Sequence, residues 1–591
     1  MTNRRFWSGL LAILLLALLL RTLFPTADPP WRATVGVVWH DEGAWIHNAR
    51  NKALFGSWRQ DEWNPVFIAP VFTALEYASF AAFGVGVRQA RLVSELAGLA
   101  SVLLLALGLR RMAGDRAALM AGALLATNYV YVMYNRAAIM EALMASFIVS
   151  SWYCSTRAER DPRWGALAAV MATLAFFTKA SAAFYIGALG LAMVWRLVEL
   201  QGHPDRTPDQ PPPRPGRSPE VRDAKAQAGS HPTRREVRSA ARWTLGGLVV
   251  SFGLAAALFV LPHWTDYQFY NWQMSVTRKP AYDLASVLQR VTWFPILHDT
   301  FSRMWGVLCL GLLGAWGIVA QWRRASDSER LLLLWVAVGA LELIVHDVGN
   351  ERRFVFLIPA LVAMASCVLA RGSLLPAGAA GVTRRTVWLL APAICYSAYV
   401  ASGAIARLPF LDEVYAHELS HAVRVAAAGA FLLGGAVVAF WPRGVAWAGR
   451  LAWTPAAAHA LVGLFLAWNL AQFAEWAITR TYKNFDASVA LGLALPPETL
   501  VQGKLANGLA LENRIRPIFI GHGFGNYADR QDRNDVRYIL TYTNPRLGYE
   551  GSQITDVLDA SPGWRTIMNF DVAETPSGHD SAALIEKRAR D

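Results

Sequence analysis

Apolar runs of roughly twenty residues recur along this chain, beginning with Phe6 to Leu20, and they restrict its fold more than any other feature. A helix of about 20 residues crosses a hydrocarbon core of roughly 30 Å. Lipid supplies no partners for backbone N–H and C=O groups, so segments of this kind cross as helices. Composition agrees. Of 591 residues, 54% are hydrophobic and only 17% charged, whereas a soluble chain carries about a quarter charged residues. The expectation is an α-helical polytopic membrane protein.

Alternating the orientation of successive spans gives a consistent map. Arg4-Arg5 precede the first run, and no small-x-small cleavage site is evident before Asp28-Pro29-Pro30. The first helix is therefore expected to stay uncleaved, with its N-terminus cytoplasmic. Residues 24–87 form a long external loop, whose apolar part, Val66 to Phe83, lies on the membrane rather than crossing it. A crossing from Leu92 to Leu109 then places Arg110-Arg111 inside, as the positive-inside rule prefers. Further spans follow at about Ala117–Met133, Ala142–Tyr153, Trp164–Phe177 and Ala182–Trp195. Residues 199–242, rich in Pro, Arg, Asp and Gln, read as a disordered cytoplasmic loop. Beyond Trp243–Leu261 comes a second external loop, 262–303. Spans near Trp305–Ala320, Leu331–Val345, Phe354–Leu369, Val387–Ile405, Val423–Phe440 and Ala457–Trp476 bring the total to about thirteen. Residues 1–482 are thus a membrane domain. Residues 483–591 read as a small external α/β domain, with a helix start at Pro496-Pro497-Glu498-Thr499 and strands at Arg516–Ile520 and Arg537–Tyr542.

The net charge of +13 does not point to nucleic acid, because the basic residues sit mainly in short loops between spans, where they act as orientation signals. Cys154, Cys309, Cys367 and Cys395 all lie in apolar segments, without metal-ligand spacing, and read as packing residues.

The map brings charges from distant segments to the outer face: Asp41 and Glu42, Asp61 and Glu62, Arg136 and Glu141, Lys179, Arg278 and Lys279, His346 and Asp347, and Glu351, Arg352 and Arg353. Ionisable groups at membrane depth are costly and usually mark a site or a pathway. Several cations around one or two carboxylates suit a substrate that carries a lipid-linked phosphate. Arg and Lys would hold the phosphate and steady the leaving group, and a carboxylate would take the proton of an attacking hydroxyl.

On these residues the chain resembles the GT-C superfamily of polyprenyl-phosphate-sugar glycosyltransferases. Within it, the chain is similar to the protein O-mannosyltransferases and to the bacterial aminoarabinose transferases that modify lipid A (ArnT-like). The stretches that carry the likeness are Asp41-Glu42, Asn135-Arg136 through Glu141, Thr178-Lys179 and Glu351-Arg352-Arg353-Phe354, over about the first 370 residues. The resemblance implies that Asp41 activates the acceptor and that basic residues near Arg352 hold the donor phosphate. Two departures stand out. Glu141 takes a place where relatives often have Asp, and Glu62-Trp63-Asn64-Pro65 lacks the lysine of the lipid A enzymes.

The expected activity is transfer of a sugar from a polyprenyl (undecaprenyl) phosphate, in a bacterial inner membrane, to a periplasmic lipid, glycan or protein hydroxyl, with inversion. Asp41 and Glu42 are the catalytic candidates; Arg352, Arg353, Lys179 and Arg136 are the phosphate-binding ones. Glu141, His346, Asp347, Arg278 and Lys279 complete the candidate site. Plainer roles stay open: an ion pair for Arg136 and Glu141, snorkelling for Lys179, lipid headgroups for Arg278 and Lys279, and a hydrogen-bonded pair for His346 and Asp347. A divalent cation (Mg or Mn) near Glu42 is an option that one oxygen ligand leaves undecided. The alternatives are transfer of a preassembled glycan, or a transporter of a lipid-linked or anionic substrate. Against transport, the charges gather at one face rather than at the midplane.

Overall fold

The first apolar run forms a single helix, Asn3–Thr22, which buries Phe6, Leu10 and Ala17 while Leu11, Leu15 and Leu18 stay exposed. Large apolar side chains facing outward are what a lipid-facing helix surface requires. The computed structural model describes residues 3–30, 39–201, 234–276, 281–293, 300–346, 351–373, 384–405, 452–520, 525–543, 557–561, 563–572 and 581–587, and short pieces between 428 and 440.

Among the described residues, six helices are long and apolar enough to cross a membrane, or seven if the bent pair Tyr129–Asn135 and Met140–Ala158 counts as one span. Shorter apolar helices, Trp164–Thr178, Trp305–Ala320 and Leu390–Ala401, stand beside them. This is a mostly helical, multi-pass membrane protein.

Several boundaries follow sequence chemistry. The 41-residue helix Val87–Thr127 is broken at Gly114, at φ 87°, just beyond Arg110-Arg111, so it divides where two spans were expected. Pro70–Phe83 is a helix of only 14 residues and is not among the candidate spans. Close packing of the membrane helices uses glycine: a Cβ on Gly108 would lie 2.3 Å from the Trp152 ring, and one on Gly311 would lie 2.9 Å from the Leu361 carbonyl. Small residues let neighbouring helices approach in lipid, where burial from water offers no drive.

Two expectations need correction. The polar segment 199–242 is helical at both edges, because Ala183–Gln201 runs into it and Arg234–Ala255 starts inside it. Basic residues such as Arg234, Arg235 and Arg238 are good helix formers, so the helix extends beyond its apolar part. Pro496-Pro497-Glu498-Thr499 starts no helix. It turns out of the helix Lys483–Ala494 into strand β1, with Glu498 at φ 66°. The expected span Val423–Phe440 falls largely outside the described residues.

The C-terminal part folds around a five-stranded sheet in the order β2-β1-β3-β5-β4: β1 Leu500–Gln502, β2 Arg516–Ile518, β3 Tyr538–Tyr542, β4 Arg565–Asp571 and β5 Ser581–Glu586. Strand β1 pairs in parallel with β2 and β3, and β5 runs antiparallel to β3 and β4. Asp28, just past the first helix, accepts from the Thr481 hydroxyl at 2.7 Å and from the Lys483 and Asn484 amides at 2.7 and 3.2 Å. It thereby caps the helix that leads into this domain.

Candidate active site

Four charged side chains from four separate segments meet where helices break. Asp41 lies in the short helix Trp39–Trp45. Glu141 opens the helix Met140–Ala158, after an extended Ile139 and a 114° bend. Lys179 is extended, at φ −158° and ψ 121°, between the helix Trp164–Thr178 and the turn Ala180–Ala182. Arg352 sits in the 3-10 turn Glu351–Leu357, ahead of Pro359 at the start of the next helix. Interrupted helices place side chains inward without sacrificing a whole span.

The geometry is tight. Arg352 Nη1 donates to Asp41 Oδ2 at 2.6 Å, and its Nε lies 3.4 Å from Glu141 Oε1. Lys179 Nζ donates to the same Glu141 oxygen at 2.5 Å. Two carboxylates and two cations therefore alternate in one buried row. Lys179, at 18% side-chain exposure, is the most open member, and Asp41 follows at 12%. Burial, against the pull of Glu141 and with the push of Arg352 and Arg353, lowers the Lys179 ammonium to about 8.

Glu42 faces the other way. Arg91 forks onto it, with Nε at 2.9 Å from Oε1 and Nη2 at 2.8 Å from Oε2, and the Ala138 amide donates to Oε1 at 2.7 Å. Arg91 Nη1 also donates to the Pro25 and Ala27 carbonyls. Glu42 thus ties the Asp41 helix to a membrane helix and to the bend that presents Glu141. These partners do not fit a Glu42-bound cation, since a guanidinium already fills its coordination. Among the described residues no group of three or more His, Cys, Asp or Glu is arranged to hold a metal ion.

The remaining candidates are placed as follows. Arg136 donates to the Leu20, Arg21 and Phe24 carbonyls at 3.0, 2.7 and 2.7 Å and lies over the Trp476 ring, 4.4 Å from its centroid. It caps the end of the first helix. Arg353 is half-buried beside Arg352 in the same turn. His346, at the exposed end of the helix Asp327–His346, meets the Tyr282 ring edge-on at 5.7 Å. Asp347, Arg278 and Lys279 lie outside the described residues.

Arg91 and Glu76 went unnoticed in the sequence. The charges Arg88, Arg91 and Glu95, one helical turn apart at the start of an apolar span, were the available signal. Glu76 is wholly buried, neither carboxyl oxygen has a hydrogen-bond partner among the described residues, and burial followed by the Glu42 charge raises it well above the usual carboxylate range.

An apolar cavity of about 1300 Å³ opens between the helices Pro70–Phe83, Trp164–Thr178 and Arg234–Ala255. Its walls include Val71, Leu174, Trp243, Leu254 and Phe177, and Phe177 stands two residues before Lys179.

Residues 68–201 match the family model described as dolichyl-phosphate-mannose-protein mannosyltransferase. Among solved structures, the chain is similar to ArnT from Cupriavidus metallidurans in the apo state, at 16% identity over 98% of this chain and 97% of that one, with a TM-score of 0.53. The same ArnT bound to undecaprenyl phosphate gives 16% identity, the same coverage and a TM-score of 0.50. The apo oligosaccharyltransferase of Archaeoglobus fulgidus is 12% identical over 92% of this chain and 70% of that one, with a TM-score of 0.47. No curated protein sequence matches the chain. The likeness to GT-C glycosyltransferases therefore holds for the fold, and over residues 68–201 it extends to sequence.

Proposed function

We propose that this protein is a membrane glycosyltransferase that moves a sugar from a polyprenyl phosphate carrier, undecaprenyl phosphate in a bacterium, to a hydroxyl on the periplasmic side of the inner membrane. The observation that carries the reading is the buried row Lys179–Glu141–Arg352–Asp41, where a carboxylate able to take a proton adjoins cations able to hold a phosphate. The apolar cavity, whose wall residue Phe177 stands two residues before Lys179 in the chain, offers a place for an isoprenoid chain. The ArnT that shares this fold has been crystallised with undecaprenyl phosphate.

In the reaction, the acceptor oxygen attacks the anomeric carbon as the bond from that carbon to the phosphate oxygen breaks. The bonding pair leaves on the phosphate, where Arg352 and Lys179 stabilise the growing charge. The acceptor proton passes to Asp41. A single displacement inverts the anomeric centre. Before donor binds, Arg352 holds Asp41, and a guanidinium–carboxylate pair is a poor base. An arriving phosphate competes for Arg352 and releases Asp41, so the donor should bind before the acceptor reacts. Glu42, with both oxygens engaged, holds the base's helix in place.

The test is turnover of labelled polyprenyl-phosphate sugars by the purified protein and by Asp41→Asn. The reading expects donor consumption by the first and near-complete loss in the second. Equal rates in the two would remove Asp41 as base. A wild type that consumes no donor but carries it across a liposome bilayer would replace transfer by transport.

A further inference from the structure

Asp41 sits on a helix of seven residues, Trp39–Trp45, too short to be stable alone. Something must hold it. On the membrane side the hold is Glu42, through Arg91. The next residue, Gly43, meets the C-terminal domain: a Cβ built there would stand 1.8 Å from the Asn507 carbonyl oxygen and 2.5 Å from its carbon. The backbones touch, and only glycine permits it.

Around this contact the two parts of the chain interlock. His47, 1% exposed, lies with Nδ1 2.9 Å from the Asn507 side-chain amide and Nε2 2.9 Å from Asp61 Oδ1. The same Nε2 lies 3.0 Å from the Asn51 side-chain amide, so His47 joins Asn51, Asp61 and Asn507 in one buried network. The second Asp61 oxygen accepts the Phe519 amide at 2.9 Å. The Phe519 ring stacks on Trp63 at 4.6 Å between centroids. Arg50, wholly buried, donates to the Ala510, Asn513 and Ile515 carbonyls at 2.9, 3.0 and 2.9 Å. Glu512 accepts the Val87 amide at 2.7 Å, which joins the same segment to the helix that carries Arg91.

We infer that residues 507–519 of the C-terminal domain are a positioning element of the active site, which fixes the Asp41 helix through the Gly43–Asn507 contact and the Arg50 and Asp61 hydrogen bonds. The consecutive residues Asp41, Glu42 and Gly43 divide the work: one faces Arg352, one grips the membrane helices and one grips the C-terminal domain. Arg50, Gly43 and Asn507 touch no reacting atom and act through Asp41. The role in catalysis rests on the transferase reading above; the hold on the helix does not.

The clamp is tested with Gly43→Ala, Arg50→Ala and Arg50→Lys in the full-length protein. Displacing a reacting group by about 1 Å costs up to ~10² in rate. The kcat of Gly43→Ala and Arg50→Ala should therefore fall about 10²-fold, while the donor KM stays within about twofold, because Lys179 and Arg352 stand on other segments. Arg50→Lys, which keeps one of the donors, should recover part of the loss. Wild-type kcat in both Gly43→Ala and Arg50→Ala overturns the inference, as does an equal loss of donor binding and kcat. Hydrogen exchange of residues 39–55 gives an independent readout. It should accelerate in Arg50→Ala even if the wild type transfers no sugar, and unchanged protection there overturns the clamp whatever the activity.

Discussion

Arg352 and Asp41, 311 residues apart in the chain, form a buried ion pair at 2.6 Å. The same guanidinium reaches Glu141 through its Nε. A planar, forked cation can address a carboxylate on one side and a phosphate on another; an ammonium offers only a point charge. Replacing Arg352 with Ala should lower kcat/KM for the lipid-linked donor by about 10²–10³-fold, the cost of one preorganised donor. Arg352→Lys should restore less than a tenth of the loss, since a single ammonium cannot serve both partners. Steady-state kinetics with donor varied checks both values.

The pH dependence of donor binding should follow Lys179. Its ammonium is lowered to about 8, chiefly by burial. A lowered pKa means the proton leaves earlier as pH rises, so the positive charge is present below pH 8 and lost above it. Donor KM should be flat from pH 6 to 7.5 and rise above 8 (pH values about the midpoint set by that pKa). In Lys179→Arg the rise should vanish, because guanidinium stays charged. A wild-type profile that is flat through pH 9.5 would separate Lys179 from donor binding.

Glu42→Gln and Arg91→Met should each destabilise the protein, because each leaves a buried charge without its partner, at a cost of about 3–5 kcal/mol. The double variant should recover most of that cost. Thermal unfolding in one detergent for all three variants measures the coupling. Since Arg91 already occupies Glu42, transfer should proceed at an unchanged rate in excess EDTA.

Gly108→Ala should loosen the contact between the helices Val87–Thr127 and Met140–Ala158, because the added methyl meets the fully buried Trp152 ring at 2.3 Å. Overpacking of this kind costs about 1–3 kcal/mol. A lower unfolding temperature, with kcat per folded molecule retained, is the expected result.

Much of this arrangement was legible in the sequence, for one physical reason. Asp41, Glu141, Lys179 and Arg352 interrupt or flank apolar runs, where a charge is expensive and therefore conspicuous. The partners were less legible. Arg136 and Arg352 look alike in sequence, yet one donates to the Leu20, Arg21 and Phe24 carbonyls at and just past the end of the first helix and the other to Asp41. That difference arises from contacts across more than a hundred residues, which periodicity does not encode. Glu42 reads as a twin of Asp41, but its neighbour Arg91 gives it a different task. Pro496-Pro497 misled for a local reason: proline suits a helix start and a turn equally. The spacing of residues 507–519 gave no hint that they reach back to residues 43–63.

The hold of Arg50 on the Ala510, Asn513 and Ile515 carbonyls also carries a temporal consequence. A ribosome makes the donor side of this joint some 460 residues before the acceptor side. Throughout that interval the guanidinium has none of the carbonyls it is shaped for, and the short helix next to it lacks its outer support. Asp41, among the first groups synthesised, is thus among the last to be set in place. If the proposed transfer holds, nascent chains, and chains cut short before residue 510, would lie in the bilayer beside the carrier lipid without being able to use it.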